Sequence, residues 1–215
     1  MSTIQTKLSL DTWVSSPWEE YIQTTENLEL EKTKCYYHDG EFKIEMTPVG
    51  PDHAYDNGII VILINLFGIE KNLPTKLLLN CSYRKTGIRE CQPDISYYIG
   101  QNIPLAPQGS SVVDLDTNSP PDLVIEIANT SVTDDLGKKR LLYEEIRVKE
   151  YWVVDVSKLQ IIAFQILNEL GSQRINQSQI LPDLDISLIE NALQLSRQQD
   201  NTKVATWFMS QIQAE

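Results

Sequence analysis

The period of the apolar positions changes several times along the chain, and the changes mark out its elements. Residues 35–37 and 42–46 are apolar-rich and flank His38-Asp39-Gly40-Glu41. Asp-Gly supplies the positive φ angles of a tight turn, so this stretch predicts two paired strands. Upstream, Ser16-Pro17-Trp18-Glu19 predicts a helix with Ser16 as N-cap, Pro17 in the first position and Glu19 closing a capping box, running to about Asn27. Pro51-Asp52 precedes the apolar stretch 54–67, which predicts a largely buried helix capped by Asp52 and interrupted by Gly58. Its most apolar run, 59–67, is far shorter than the ~20 residues needed to cross a bilayer and contains Asn65. No membrane partner is expected.

Residues 77–83 and 90–98 then predict strands, and 123–128, Leu-Val-Ile-Glu-Ile-Ala, predicts a central strand covered on both faces. A helix opens at Thr133-Asp134-Asp135 and runs to about Ile146, followed by strands at 151–155 and 159–166, a loop over 181–185, and helices at 188–195 and 202–212. The order is mixed α/β. With no linker and no repeat, the reading is a single domain over 1–215, with a core at about 16–170 and a C-terminal helical extension at about 186–215.

The three cysteines, Cys35, Cys81 and Cys91, are odd in number and lack C-x-x-C spacing, which argues against a disulfide framework and a zinc site. The start of the chain carries no basic segment followed by an apolar run, so the cytoplasm is the expected compartment. A net charge of −12 disfavours a nucleic-acid partner on its face. The distribution changes that picture: residues 1–60 hold 11 acids against 4 bases and 168–215 hold 6 against 3, whereas 61–167 hold 13 against 11. Within that middle, Arg84, Lys85 and Arg89 form one basic group and Lys138, Lys139 and Arg140 another, able to supply a local phosphate-attracting surface.

One charge interrupts the most apolar strand. An ionised carboxylate buried there costs several kcal/mol unless it is paired, so Glu126 between Ile125 and Ile127 requires a cation or hydrogen-bonding groups. A salt bridge to lysine or arginine would satisfy it. So would a divalent metal shared with Asp94, 32 residues earlier behind Pro93, because a hard oxygen-seeking ion relieves the repulsion between two carboxylates. Lys139 lies one short loop downstream, with Asp135 and Tyr143 one turn to either side on the same helix face, and can reach the strand carboxylates. Lys138, about 100° around the helix, should point elsewhere.

Pro93-Asp94, the run Pro121-Asp122-Leu123-Val124-Ile125-Glu126-Ile127, then Lys139-Arg140-Leu141-Leu142-Tyr143 and Glu150-Tyr151-Trp152-Val153-Val154-Asp155 together resemble a bacterial restriction-endonuclease family within the PD-(D/E)-x-K nuclease superfamily. The resemblance extends to Asp39-Gly40-Glu41 and His53 and covers roughly residues 16–170. It implies a restriction-endonuclease-like mixed central sheet flanked by helices. It also implies Asp94 and Glu126 as metal ligands with the Ile127 carbonyl, Lys139 as the catalytic lysine, Mg²⁺ or Mn²⁺ as cofactor, and Glu41, His53 and Tyr143 as accessory candidates. Two positions depart from the pattern: Ala128 stands where the superfamily usually has its lysine, and Arg147 where the family usually has glycine.

The function implied is metal-dependent endonucleolytic hydrolysis of phosphodiester bonds in DNA. The alternative is a catalytically inactive nuclease-fold protein that binds nucleic acid or assembles with a partner, and a third reading is hydrolysis of a small phosphorylated substrate. By analogy with such folds, a homodimer is expected.

Overall fold

The computed structural model describes residues 10–26, 33–46, 49–169 and 171–213. Two six-stranded sheets carry the architecture. The first contains β1 (Val14–Ser15), β2 (Thr33–His38), β3 (Glu41–Met46), β5 (Tyr83–Lys85), β6 (Arg89–Cys91) and β8 (Val113–Asp114), in the order β1-β3-β2-β6-β5-β8. The second contains β4 (Thr75–Leu79), β7 (Ile95–Ile99), β9 (Leu123–Ala128), β10 (Glu150–Asp155), β11 (Gln160–Ile166) and β12 (Ser172–Ile175), in the order β12-β11-β10-β9-β7-β4. This mixed sheet, flanked by helices, is the α/β class expected.

The second sheet has one strand that cannot tolerate charge cheaply. β9 runs parallel to β10 and antiparallel to β7, and all six of its residues are buried. Its Leu123, Ile125 and Ile127 face a core shared with α2 (Pro51–Glu70), α5 (Ile186–Ser196) and α6 (Asn201–Ile212). Val124 and Ala128 face the opposite way, into a second core with Tyr36 of β2 and Leu142 and Tyr143 of α4 (Arg140–Glu145). Glu126 shares that second face by strand alternation.

The β2-β3 hairpin turns through Asp39 and Gly40 at φ 52° and 74°, the left-handed pair that a two-residue turn demands. Its outer face, Tyr37, Phe42 and Ile44, packs under Tyr21 and Trp18 of α1 (Trp18–Thr25). Its inner face carries Lys34, Tyr36, Lys43 and Glu45 as cross-strand partners, Lys34 opposite Glu45 and Tyr36 opposite Lys43.

Several elements differ from the sequence reading, each for a local reason. Stretch 77–83 is two strands in different sheets, broken where Asn80 takes φ 49°; stretch 90–98 likewise splits into β6 and β7 around Gln92-Pro93-Asp94, where proline offers no N–H to a ladder. Ser16 does not cap α1. Its N–H donates to the Gly40 carbonyl at 2.9 Å and its own carbonyl accepts Tyr37 Oη at 2.9 Å, so it ties the chain to the hairpin while Pro17 takes the cap position. The expected helix end at Asn27 lies outside the described residues. Gly50 rather than Asp52 is the cap of α2, with Pro51 in the first turn. The helix from Thr133 is broken into a short turn α3 (Val132–Asp134), a widened turn Asp135–Lys139 with Gly137 at φ −99°, ψ −106°, and α4. Arg147, just past α4, adopts φ 67°, the left-handed conformation for which glycine is the usual residue.

The C-terminal helices are locked to α2 by charge as well as by packing. Arg197 Nη1 and Nη2 grip the fully buried Asp56 carboxylate at 2.6 and 2.7 Å. Removing one partner of a buried pair strands the other, so Arg197→Met should lower stability by roughly 2–4 kcal/mol, the arginine being part-exposed. Asp56→Leu/Arg197→Met together should cost less than the sum of the single changes. Urea unfolding checks this, and additive losses would count against the pairing as the locking element.

Candidate active site

The chain crosses from the first sheet to the second at residues 92–94, and the crossing sets Asp94 in the gap between the sheets. In the β7-β9 ladder Ile95 pairs with Ile125, and one residue further along each strand stand Asp94 and Glu126. Both line one cavity of about 670 Å³, walled by the inner face of the hairpin, the start of α2 and the loop from Asn129 to Asp134. His53, Ile127, Lys138 and Lys139 line it too.

Asp94 is held from three directions. Lys34 Nζ donates to Oδ1 at 2.5 Å, the Ile127 N–H donates to Oδ2 at 2.8 Å, and His53 Nε2 lies 3.5 Å from Oδ2. Burial pushes its carboxyl pKa up, but the His53 hydrogen bond and the Lys34 charge outweigh that and hold it below the ordinary aspartate value.

Glu126 is in the opposite condition. Tyr143 Oη donates to Oε1 at 2.6 Å, Tyr36 Oη reaches the same oxygen at 3.4 Å, and Lys139 Nζ lies 3.9 Å from it. Burial pushes its carboxyl pKa up to about 8, with Asp94 adding to the rise and Lys139 opposing it. Two carboxylates thus share one cavity, one held ionised and one held back from ionising.

Lys139 sits inside an acidic ring. Its ammonium lies 2.9 Å from Glu45 Oε1 and 3.0 Å from Asp135 Oδ1, and 4.2 Å above the centre of the Tyr36 ring. It is 1% exposed. Burial pulls its pKa down, but Glu126, Asp135 and Glu45 outweigh burial, so the amine stays protonated. The widened turn carries both Asp135 and Lys139, four residues apart, and departs from helical backbone at Gly137 between them. Lys138 takes another direction, pairing with Glu41 and lying 4.8 Å over the Trp13 ring.

Of the sequence candidates, the structure therefore gathers Asp94, Glu126, Ile127, Lys139 and His53 around one cavity, with Tyr143 beneath Glu126. Glu41 does not line the cavity; the hairpin glutamate there is Glu45, four residues on and on the same strand face. The basic group Arg84, Lys85 and Arg89 does not line it either. Arg84 is taken up by Glu90 at 2.6 Å and Arg89 by Glu145. Sequence reasoning missed Lys34, Lys43 and Glu45. The available signal was alternation: charged residues at every second position of a hairpin whose other face is aromatic and aliphatic.

The donor set fits a divalent ion of the open kind. Among the described residues no three His, Cys, Asp or Glu side chains form a closed cage. Two carboxylates and a backbone carbonyl are instead what Mg²⁺ accepts while keeping several of its waters. The hydrogen bonds to the Glu126 carboxylate all converge on Oε1, so Oε2 faces no competing donor among the described residues.

Comparison with known proteins speaks to family and fold. Residues 18–201 match the Uma2 family, whose description reads "Putative restriction endonuclease". A solved structure described as a putative nuclease belonging to DUF820, from Anabaena variabilis ATCC 29413, is 18% identical and superposes with a TM-score of 0.55 over 82% of this chain and 98% of its own. That likeness speaks for the fold. No curated protein matches. Since the matched stretch runs from α1 to the first residue of α6, the chain belongs to the Uma2 restriction-endonuclease family.

Proposed function

We propose that the protein is a metal-dependent nuclease that hydrolyses phosphodiester bonds in DNA. The observation that carries this reading is the single cavity in which Asp94, Glu126 and the Ile127 backbone stand beside the buried ammonium of Lys139. Asp94, Glu126 and the Ile127 carbonyl would hold Mg²⁺ or Mn²⁺. Such an ion, when bound, polarises the scissile phosphate and lowers the pKa of a water in its shell.

The remaining work falls to the chain. Hydrolysis joins a water oxygen to phosphorus and breaks one phosphorus–ester bond, with negative charge growing on the phosphoryl oxygens. Lys139 is held protonated by its three acids. It therefore cannot act as the base, and its part is to orient the water or offset the growing charge, an electrostatic contribution that is large where water is excluded. Lys34 sits on Asp94 Oδ1 and has to yield that oxygen, or share it, when an ion enters. Tyr143 fixes the Glu126 carboxylate through Oε1 and leaves Oε2 to turn toward the cavity.

The second reading, a nuclease fold that has lost cleavage, draws on Ala128, which is fully buried and offers no amine at the superfamily's usual lysine position. Lys139 answers it by reaching the same carboxylate from the widened turn. A homodimer, the remaining proposal, has a surface in β4, the end strand of the second sheet, whose Leu79 is 49% exposed. Sedimentation velocity should show a dimer that Leu79→Lys weakens; a monomer in both would remove the proposal.

Three further outcomes test the site. Calorimetry with Mn²⁺ should show binding to the native chain and none to Asp94→Asn. Lys139→Met should retain ion binding yet lower phosphodiester hydrolysis by about 10²- to 10³-fold, whereas Lys138→Ala should stay within about threefold of native. Equal losses in both would mean the wrong lysine has been assigned.

The third outcome concerns pH. The folded pKa of Glu126 lies above its unfolded value near 4.5, so the folded metal-free chain holds this proton longer and loses stability as pH rises between the two values. Asp94, shifted the other way, contributes stability above its unfolded value and loses it only as pH falls below that, so the two windows separate. Thermal melts of the metal-free chain from about pH 5 to about pH 8 should fall, and Glu126→Gln should flatten the decline. Mn²⁺ should raise the melting temperature at the upper end for the native chain but not for Glu126→Gln. A native chain as steep as its Gln variant would contradict the assignment.

A further inference from the structure

We infer that the cavity takes an unpaired strand of nucleic acid, one or two nucleotides at a time, and excludes a continuous duplex. This rests on the phosphodiesterase reading above and narrows its substrate.

Depth is the first argument. Asp94 is 4% exposed, Glu126 2% and Lys139 1%. A scissile phosphate must come within direct contact of these groups, so it must enter the cavity rather than pass across its mouth. A duplex carries its phosphates on a stiff rod with a persistence length of about 150 bp, and delivering one phosphate into a recess demands a costly local deformation. An unpaired strand has torsional freedom to fold its backbone inward. A cavity of about 670 Å³ lies in the range that encloses a small-molecule ligand, the scale of one or two nucleotides rather than a helical turn.

Charge is the second argument, and it is independent of depth. Duplex DNA presents one negative charge per ~1.7 Å of axis, and proteins that hold it set out a row of uncompensated lysines and arginines. Here every lysine that lines the cavity is already answered by an acid: Lys34 by Asp94, Lys43 by Glu45 and Asp134, Lys138 by Glu41, and Lys139 by Glu45 and Asp135. Five carboxylates, those of Asp11, Glu45, Asp94, Glu126 and Asp134, share the lining with these four lysines. The basic group at Arg84 and Arg89 is likewise consumed by Glu90 and Glu145. Such a surface can receive one or two phosphates whose charge is met inside the cavity. It offers little to the many further phosphates that a duplex brings with it.

The test uses the full chain with Mn²⁺ and four substrates: a single-stranded oligonucleotide, the blunt duplex of the same sequence, that duplex with an unpaired arm, and bis(4-nitrophenyl) phosphate. The single strand and the arm should be cut at least about tenfold faster than the duplex, with cleavage confined to unpaired positions. With Ca²⁺ in place of Mn²⁺, fluorescence anisotropy should show the single strand binding more tightly than the duplex. Its dependence of log K on log salt should have a slope of only about −0.7 to −1.4, as one or two phosphate contacts to a single strand require. Cleavage of the duplex at an equal rate, or a steep salt dependence with duplex preferred, overturns the inference. Hydrolysis of the small diester with every oligonucleotide left intact also overturns it while sparing the phosphodiesterase reading. If none of the four is hydrolysed, that reading falls and this inference falls with it.

Discussion

A carboxylate in the middle of the central strand is the constraint on which the site depends. Glu126 lies where both neighbours in the strand are aliphatic and both neighbouring strands are buried, so water solvates it poorly. The surroundings respond in kind. Tyr143 and Tyr36 bring hydroxyls to one of its oxygens, and the widened turn brings in an ammonium. Even so, the carboxyl remains reluctant to ionise, because burial outweighs what those groups return. The shortfall is the physical argument for a cation. A structural ion pair would have closed the gap with a lysine at hydrogen-bond distance, whereas the nearest ammonium stands at 3.9 Å and spends itself on Glu45 and Asp135.

Asp94 shows how topology makes such a site available. It belongs to neither sheet: Cys91 ends the ladder of the first, and Ile95 begins that of the second. At this crossing a side chain can face the gap between sheets while its backbone is anchored, its carbonyl accepting from Asn80 and its carboxylate bonded to the Ile127 N–H. That last bond couples the proposed ligands mechanically. A shift of β9 that moved Glu126 would move the donor on Asp94 as well.

Much of this was legible in the sequence, for reasons that differ by residue. Strand β9 announced itself through five apolar residues around one glutamate, and the hairpin through Asp39-Gly40, because burial and turn geometry are local demands. The basic cluster at 138–140 was visible, and so was the direction in which Lys139 and Lys138 part. What was not legible depended on the first sheet. A run such as 77–83, apolar but for Asn80 and Ser82, does not reveal that its two ends join different sheets. Nor does an alternating hairpin disclose whether its polar face meets solvent or a second sheet. Lys34, Lys43 and Glu45 therefore went unassigned, although Lys34 and Lys43 are nearly fully buried. The helices start where expected to within about two residues, but the caps are Pro17 and Gly50 rather than Ser16 and Asp52, because these two satisfy the backbone geometry of a cap without any side-chain bond.

Ala128 brings these threads together. It occupies the face of β9 that carries Glu126 and is completely buried in the second core, beside Tyr143 and Val153. A lysine there would have to displace that apolar packing to bring its charge beside Glu126, two residues away on the same face. Lys139 enters from the turn instead, through a break at Gly137, and meets Glu45 and Asp135 on the way. Those two acids and Glu126 together outweigh burial and keep it protonated. The relocated lysine thus requires the hairpin: without Glu45 projecting from β3, its charge would rest on Asp135 and a distant Glu126. In this chain Lys139 and the first sheet form one unit: Glu45 of the hairpin, with Asp135 of the turn, holds the buried ammonium near Glu126, while Ala128 on the strand contributes no charge.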